Sequence, residues 1–375
     1  MEAPLMFRGA FAGAPVLVTG HTGFKGAWLA LWLARLGARV MGLALDPPTT
    51  PNLFSRAAVD DIVEHHHGDI RDVALVQALL EQHQPAFVFH LAASTLVRKS
   101  YAAPIETFDN NVIGTVSVLE AVRRSGISAV VIIASTDKCY ENREWDYGYR
   151  ETDRLGGHDP YSASKAAMEI AVDSFRRSFF PTPAIASHGV RIATVRAGNV
   201  IGGGDWAVDR IVPDAVRAFA RGEVLGVRNP RTVRPWQHVL EPLSGYLWLA
   251  ALTAESNDGA LCGAWNFGPG PEQNRTVAEL ADALVHEWRE GSWREMREED
   301  GPHEARTLRL SIEKAVAHLD WQLVWDFGTT VKQTVRWYQR CLQTPDDALV
   351  ARTCCEEDIA LYEEDARARG RAWAS

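Results

Sequence analysis

The sequence predicts an α/β fold with a doubly wound parallel sheet and a smaller C-terminal lobe. Apolar runs rich in β-branched residues alternate with helical patterns over the first two hundred residues of the 375-residue chain. The runs are apolar throughout, which is typical of a parallel sheet covered by helices on both faces. After "NVIGGGDW" the elements become shorter and prolines more frequent, which indicates the second lobe.

The elements follow one another in a regular order. Strands are predicted at "APVLVTG", "RVMGLAL", "PAFVFHLAA", "SAVVIIAS" and "VRIATVRAG". The helices between them are predicted at "GAWLALWLARLGA", "RDVALVQALLEQHQ", "NNVIGTVSVLEAVRRSG" and "SASKAAMEIAVDSFRRSFF", and a later one at "VAELADALVHEW". This alternation predicts crossover connections between parallel strands.

The first strand leads into a glycine-rich turn, "VLVTGHTGFKG", which opens the first helix. Gly20, Gly23 and Gly26 stand three residues apart in it. Such a turn lets backbone N–H groups approach a pyrophosphate, and the helix N-terminus adds partial positive charge. The strand–turn–helix context is the one that a dinucleotide site requires, so we expect a Rossmann-type domain. A tight turn that binds nothing is the alternative.

Other residues indicate which dinucleotide is bound. Asp46 follows Gly26 by 20 positions, at the end of the second strand. An acid there favours NAD over NADP, and no arginine stands beside Asp46 to bind a 2′-phosphate. Asp69 and Ile70, in "GDIRD", are predicted to lie near the adenine ring. The sequence therefore predicts NAD as the cofactor.

The pattern "YSASK" places Tyr161 and Lys165 one turn apart on a single helix face. A nearby ammonium group and the positive nicotinamide ring are expected to lower the pKa of the phenol. Tyr161 could then remove a proton from a sugar hydroxyl while hydride leaves. Such pairs are common on helix surfaces, but after a glycine turn the pattern indicates a dehydrogenase-type site.

The run "AVVIIASTDKCYEN", residues 129–142, begins as a buried strand and ends abruptly in polar residues. Thr136, Asp137 and Lys138 stand where the run stops. Ligands of open α/β sheets bind beyond the carboxyl ends of the strands, so we expect these three side chains at the site. A carboxylate that only caps a turn is the alternative for Asp137.

The strings "TGHTGFKG", "HLAA", "NNVIGT", "STDKCY" and "YSASK" resemble the extended short-chain dehydrogenases/reductases that act on nucleotide sugars, over about residues 14–340. Longer strings, such as "STDKCYENREWDYGYRE" and "VRPWQHVLEPLSGYL", are similar to the CDP-glucose 4,6-dehydratase family. The resemblance implies CDP-glucose as the substrate and CDP-4-keto-6-deoxyglucose and water as the products. It also implies a place in deoxysugar biosynthesis, as for a lipopolysaccharide O-antigen.

The resemblance implies a role for each polar residue at the strand end. Carbon 4 of the hexose would be oxidised, water would leave across carbons 5 and 6, and hydride would return to carbon 6. Thr136 would bind the 4-hydroxyl beside Tyr161, and Asp137 would protonate the departing 6-hydroxyl. Lys138 stands where the dTDP-glucose enzymes carry a glutamate that removes the carbon-5 proton. It would act either as a neutral base or as a cation that stabilises the enolate.

The remaining site residues come from the same resemblance and from arginine chemistry, since a guanidinium fork suits diphosphate oxygens. Further cofactor contacts are predicted at Phe24, Lys25, Leu91, Ala92 and Ala93. Substrate contacts are predicted at Arg98, Asn199, Arg210, Arg234 and His238. Trp206 could line the site, and His303 and Glu304 match a family string near the nucleotide.

One loop departs from the family pattern. Ser94 and Thr95 replace the usual Gln-Pro ahead of "LVR" in a loop that faces the active site in the family. A different nucleotide or sugar therefore stays open, as does a 4-epimerase, although an epimerase has no need of the acid at Asp137. A non-catalytic NAD-binding protein is disfavoured by the presence of Thr136, Tyr161 and Lys165.

Composition excludes several other classes of protein. The net charge of −9 gives no electrostatic footprint for nucleic acid, and no apolar run approaches the roughly 18 residues of a membrane span. We recognise no signal peptide, and five cysteines without metal-ligand spacing are typical of a reducing cytoplasm. No metal site is predicted, because neighbours in the triplet His65, His66 and His67 would point to opposite faces.

We interpret 1–200 as the NAD-binding domain with the catalytic residues, 201–345 as mainly the nucleotide-sugar lobe, and 346–375 as a charged tail. The family commonly pairs through the helices that here read "NNVIGTVSVLEAVRR" and "SASKAAMEIAVDSFRR". A homodimer or homotetramer is therefore the expected assembly.

Overall fold

The fold is that of a computed structural model, which describes residues 5–256, 258–270, 273–296, 307–344 and 347–375. Its strands are β1 Pro15–Thr19, β2 Arg39–Ala44, β3 Glu64–His67, β4 Phe87–His90, β5 Val130–Ala134, β6 Arg191–Ala197, β7 Val200–Ile201, β8 Leu225–Val227, β9 Val233–Arg234, β10 Gln237–His238, β11 Gly263–Phe267, β12 Arg275–Thr276 and β13 Trp293–Glu295. Its helices are α1 Phe24–Arg35, α2 Leu53–Arg56, α3 Val73–His83, α4 Val97–Ala102, α5 Pro104–Phe108, α6 Gly114–Ser125, α7 Pro160–Ser178, α8 Ile185–His188, α9 Ile211–Ala220, α10 Leu240–Glu255, α11 Val277–Trp288, α12 Glu313–Leu319, α13 Phe327–Gln343 and α14 Ala348–Ala368.

The centre of the fold is a seven-stranded sheet in which all neighbouring strands are parallel. The strand order is β11-β6-β5-β4-β1-β2-β3. The predicted strands and helices occur in the predicted order, so the doubly wound α/β fold is confirmed. The direction of winding reverses between β1 and β4, and a ligand site is expected outside the carboxyl ends of the strands at that point.

Helices cover both faces of the sheet because side chains alternate along each strand. In β1, Val16 and Val18 join the larger apolar cluster with α1 and α10, whereas Leu17 joins a second cluster with α3 and α6. A strand that is buried on both faces has no polar side, and this explains the continuous apolar runs in the sequence.

The second lobe does not begin cleanly at residue 201. The short pairs β7–β10, β8–β13 and β9–β12 stand apart from the central sheet, but β11 extends that sheet beside β6. Helix α10 likewise packs into the main core. The stretch from 201 to 345 therefore supplies both the lobe and part of the sheet domain.

The expectation of a charged tail at 346–375 is corrected by the structure. Residues 347–375 contain a helix that packs into the core. Ile359 and Tyr362 of α14 lie one turn apart in the main core, and Trp373 joins them. The indole of Trp32 donates a hydrogen bond to Glu363 at 2.9 Å. In the sequence, the many charged residues of this segment make its apolar stripe at helical spacing hard to recognise. Among the described residues, no helix is long and apolar enough to cross a membrane.

Candidate active site

A cavity of about 1610 Å³ lies along the carboxyl ends of the central strands. It is lined by the glycine turn, the polar end of β5, the start of α7 and the loops of the second lobe. Small-molecule pockets commonly measure about 300–1,000 Å³, so this cavity has room for more than one ligand. The sheet domain forms one wall and the lobe forms the other.

The glycine turn brings the backbone close to the cavity floor. Gly20 has a φ of +76°, and a Cβ there would lie 2.6 Å from the backbone nitrogen of Ala92. A Cβ on Gly26 would lie 2.2 Å from the carbonyl oxygen of Gly20. Helix α1 starts after Gly23 without a side-chain cap, and Phe24 lines the cavity at its first turn. This arrangement fits a pyrophosphate at the helix N-terminus.

The predicted adenosine contacts lie together farther along the same cavity. Asp46, Asp69 and Ile70 all line it, together with Leu91, Ala92 and Ala93 after β4. Asp46 lies two residues past β2, with a carboxylate oxygen 3.6 Å from His67. Arg71 donates from Nε to both oxygens of Asp69 and holds the pKa of that carboxyl below its usual range. The side chains and the backbone cradle together fit NAD.

The structure brings the five predicted catalytic residues to one part of the cavity wall: Thr136, Asp137, Lys138, Tyr161 and Lys165. Thr136 accepts a hydrogen bond from the Lys138 backbone at 3.3 Å and so caps the short turn that follows β5. Asp137 is buried, and its Oδ1 accepts from Thr136 Oγ1 at 3.1 Å. Its Oδ2 has no hydrogen-bond partner within the described part of the chain. A buried carboxylate oxygen without a partner is suited to meet a substrate group.

Tyr161 and Lys165 lie on α7 and are both buried. Burial raises the pKa of Tyr161 to about 12, although a hydrogen bond with Thr136 lowers it in part. The lowered phenol pKa expected from the sequence is therefore not produced by the protein's own groups. Burial also lowers the pKa of Lys165 to about 8, and its Nζ donates to the Ala134 carbonyl at 3.0 Å.

A buried ion pair supports this helix and was missed from the sequence. Glu169 lies one turn after Lys165 and pairs with Arg196 at 2.8 Å, with both side chains 3% exposed. Arg196 also donates to the Tyr140 hydroxyl at 2.8 Å. The negative charge of Glu169 acts to raise the pKa of Lys165 against its burial. The four-residue spacing of Lys165 and Glu169 could have shown from the sequence that Glu169 lies beside Lys165, but no local signal indicates Arg196.

Four of the five predicted substrate-binding residues line the cavity: Arg98, Asn199, Arg210 and Arg234. Arg210 pairs with Asp205 at 2.8 Å and donates to Thr95 at 3.2 Å. Asp205 was not singled out from the sequence, although it stands in the quoted "GGGDW". Asn199 Oδ1 is buried and has no hydrogen-bond partner among the described residues. Trp206 also lines the cavity.

The fifth predicted substrate-binding residue, His238, does not line the cavity, so this prediction is corrected. It is fully buried between Trp28 and Trp325 and is not part of the cavity wall. Its Nδ1 accepts from the Leu240 backbone at 3.3 Å, and burial lowers its pKa to about 3. Successive residues of a strand face opposite sides, and β10 turns this one to the core. His303 and Glu304 lie outside the described residues.

Positive charge collects at one end of the cavity. Lys25 is half-buried, with its Nζ 3.5 Å from the Tyr246 hydroxyl. Burial lowers its pKa to about 8, and the charges of Arg210 and Lys165 lower it further. Mutually repelling cations in a cavity are stabilised by an anion, so this region suits phosphate groups.

Comparison with known proteins gives consistent matches. The family model described as GDP-mannose 4,6 dehydratase matches residues 17–334. The CDP-glucose 4,6-dehydratase of Salmonella typhimurium (strain LT2) is 45% identical over 350 residues, 93% of this chain and 96% of the relative. A dTDP-glucose 4,6-dehydratase from Streptomyces venezuelae, solved with NAD, has a TM-score of 0.73 at 24% identity, over 87% of this chain and 97% of that one. The UDP-glucose 4-epimerase of Thermotoga maritima has a TM-score of 0.72 at 23% identity, over 88% and 99%.

Proposed function

The chain belongs to the GDP-mannose 4,6-dehydratase family, and from that premise we propose that it is an NAD-dependent CDP-glucose 4,6-dehydratase, a hydro-lyase. The substrate is CDP-glucose, and the products are CDP-4-keto-6-deoxyglucose and water. The 45% identity to the Salmonella typhimurium enzyme supports the choice of CDP-glucose. The observation that carries the dehydration is Oδ2 of Asp137, which is buried in the cavity wall and has no hydrogen-bond partner among the residues that the structure describes.

Oxidation at carbon 4 is the first role of the site. Thr136 holds the 4-hydroxyl, and Tyr161 accepts its proton. The glycine turn would hold NAD, whose chemistry when bound would be to take up hydride from carbon 4 and return it to carbon 6. Because the protein's own groups leave the pKa of Tyr161 at about 12, the proton transfer depends on the positive charge that the nicotinamide ring brings. Lys165 orients the ribose and adds its own positive charge.

Elimination is the second role, and it requires an acid that an epimerase lacks. Oxidation of carbon 4 acidifies the proton on carbon 5. Asp137 then gives a proton to the 6-hydroxyl, so that water can leave. Thr136 fixes Oδ1 of this carboxyl and leaves Oδ2 for the leaving group. The buried setting keeps bulk water away from this proton transfer.

The role of Lys138 is one of two. Its Nζ lies 3.8 Å from Asp137 Oδ1, and the side chain is 30% exposed. A charged lysine stabilises the enolate that forms when the carbon-5 proton leaves. A neutral lysine removes that proton itself. In the base role the carbon-5 proton goes to Lys138 Nζ, and in the enolate role it goes to a different base, so both roles are proposed.

The nucleotide end of the substrate lies in the second lobe in this proposal. Arg210 and Arg234 bind the diphosphate, and Asn199 offers its amide beside them. Arg210 is aimed by Asp205 and by Thr95, one of the two residues that depart from the family pattern. A 4,6-dehydratase acting on another nucleotide sugar is the second candidate, because this departure touches an arginine of the site.

The enzyme is further proposed to be a cytoplasmic homodimer or homotetramer. Exposed apolar side chains from α5 to α7 support the assembly: Ile105, Phe108, Ile113, Ile170 and Phe179. Exposed large apolar side chains on these helices are what a helix-mediated interface between subunits would cover. All five cysteines are free thiols, which agrees with a reducing compartment.

The test compares CDP-glucose, dTDP-glucose and UDP-glucose as substrates of the purified chain with NAD. Product is followed by the ultraviolet absorbance of a 4-keto sugar in base and by the mass change of one lost water. We expect CDP-glucose to give the highest kcat/KM. Turnover of another nucleotide sugar without CDP-glucose would contradict the substrate while preserving the reaction. Interconversion of the 4-hydroxyl without loss of water would make the chain an epimerase.

A further inference from the structure

A second cluster of chemically reactive side chains lies outside the cavity, at the edge of the sheet. Strand β3 pairs with β2 on one side. Glu64 and His66 are two residues apart on it and face the same way. His83, the last residue of α3, approaches them from the neighbouring layer. His65 turns to the other face, where its Nδ1 lies 2.8 Å from His21 Nε2.

The three side chains converge on a single point. Glu64 Oε1 lies 3.1 Å from His66 Nε2 and 3.5 Å from His83 Nε2. The three ligand atoms all lie within 4.8 Å of one another. Metal–ligand bonds of about 2.0–2.1 Å at tetrahedral angles place neighbouring ligand atoms about 3.3 Å apart. The two distances to Glu64 bracket that value, and the two imidazole nitrogens, within 4.8 Å of each other, would close by at most about 1.5 Å to reach it.

The nitrogens of both histidines are poorly satisfied without an ion. His66 Nε2 and His83 Nε2 are buried, and because their contacts with Glu64 lack hydrogen-bond geometry, neither has a hydrogen-bond partner in the described ranges of the chain. Buried polar atoms normally have a partner. A divalent cation satisfies both lone pairs and the carboxylate at once.

We propose that Glu64, His66 and His83 bind one divalent transition-metal ion of the zinc type. Imidazole and carboxylate are ligands that Zn²⁺ accepts, and three protein ligands leave a fourth position for water. The ion would fasten the edge strand β3 to the end of α3. Strand β3 leads directly into Asp69 and Ile70 at the cavity, so the ion stabilises this end of the nucleotide site. It has no part in the dehydration chemistry.

The test is zinc titration of the full chain without a histidine tag, after removal of metal with a chelator. Isothermal titration with ZnCl₂ should give one ion per chain, and zinc should raise Tm. Co²⁺ should give the visible absorption of a low-coordinate site. His83→Ala and Glu64→Gln should each lose the stoichiometric binding and the Tm increase. Circular dichroism checks that both variants fold, and Glu64 is exposed enough for its replacement to be tolerated.

The matched control is His286→Ala. His286 Nδ1 lies 3.3 Å from Glu287 Oε1 on the surface, and within the described part of the chain this histidine–glutamate pair has no third ligand group. This variant should bind zinc as the unaltered chain does. The proposal is overturned if the unaltered chain binds no stoichiometric zinc, which would leave only a histidine–glutamate ion pair. It is also overturned if Glu64→Gln and His83→Ala bind zinc as well as the control.

Discussion

Thr136 Oγ1 donates a hydrogen bond to Asp137 Oδ1 at 3.1 Å, and the other oxygen of Asp137 is buried without a partner in the described chain. Thr136 thus fixes one oxygen of the Asp137 carboxyl group, and the other oxygen remains available to a substrate group. This relationship separates a dehydratase from an epimerase on the same scaffold, since only the dehydratase must protonate a leaving hydroxyl.

Asp137→Asn is expected to block elimination while sparing oxidation. An amide of the same shape keeps the hydrogen bond from Thr136 but cannot donate the proton. Product formation should fall by about 10²–10⁴-fold, the usual contribution of a general acid. Stopped-flow spectroscopy should show the absorbance of the reduced nicotinamide, at about 340 nm, increasing during the reaction. Unchanged product formation would remove Asp137 from the mechanism.

Thr136→Val is expected to shift the pH dependence of oxidation. Tyr161 must be deprotonated to accept the substrate proton, so kcat rises with pH up to the pKa of Tyr161 in the complex. The single hydroxyl proton of Thr136 lowers that pKa when it turns from Asp137 Oδ1 to the Tyr161 phenolate, and its loss should move the rising limb to higher pH. Thr136→Ser keeps the hydroxyl and serves as the control. An identical pH profile for Val and Ser variants would argue against this role.

Lys138→Ala and Lys138→Arg distinguish the two roles of this residue. Deuterium exchange at carbon 5 in D₂O reports removal of the carbon-5 proton. If Lys138 is the base, both variants lose the exchange, because arginine stays protonated. If its charge stabilises the enolate, arginine should restore much of the exchange and the rate. Full exchange in Lys138→Ala rejects the lysine as the base.

His238→Gln is expected to change the pH dependence of stability and leave the KM for CDP-glucose unchanged. Burial lowers the pKa of His238 from 6.5 to about 3. Between these pH values the unfolded chain binds a proton at His238 and the folded chain does not. Its contribution is complete above pH 6.5 and is lost as the pH falls toward 3, by about 1.4 kcal/mol for each pH unit. The variant should therefore lose less stability than the unaltered chain between about pH 7 and pH 5 in urea titrations. A raised KM would return His238 to the substrate site.

Much of the site could be predicted because its signals are local. A strand, a glycine turn and a helix follow one another within a few residues, so Gly20 and Gly26 predict a close backbone turn, which the structure shows at the cavity. The helical repeat alone puts Tyr161 and Lys165 on one face. Neither inference needs to know what packs on the other side of the sheet.

The sequence predictions were wrong or incomplete where the position or the pKa of a residue depends on contacts with distant parts of the chain. His238 lies in a two-residue strand, too short for a pattern to show which face is buried. The Arg210–Thr95 contact joins residues 115 positions apart and has no periodic signal. The pKa of Tyr161 follows from burial by the whole cavity wall, which the spacing of tyrosine and lysine does not report.

The sequence by itself determined the order of strands and helices, the cofactor cradle and the Thr-Asp-Lys end of β5. Hydrophobic period and turn chemistry act over neighbouring residues, and they can be read without coordinates. Only the tertiary structure decided that α14 packs into the core, that His238 leaves the site, and that His83 meets Glu64 and His66. Each of these depends on which surfaces bury one another across the fold, and burial is a property of the packed chain rather than of any segment.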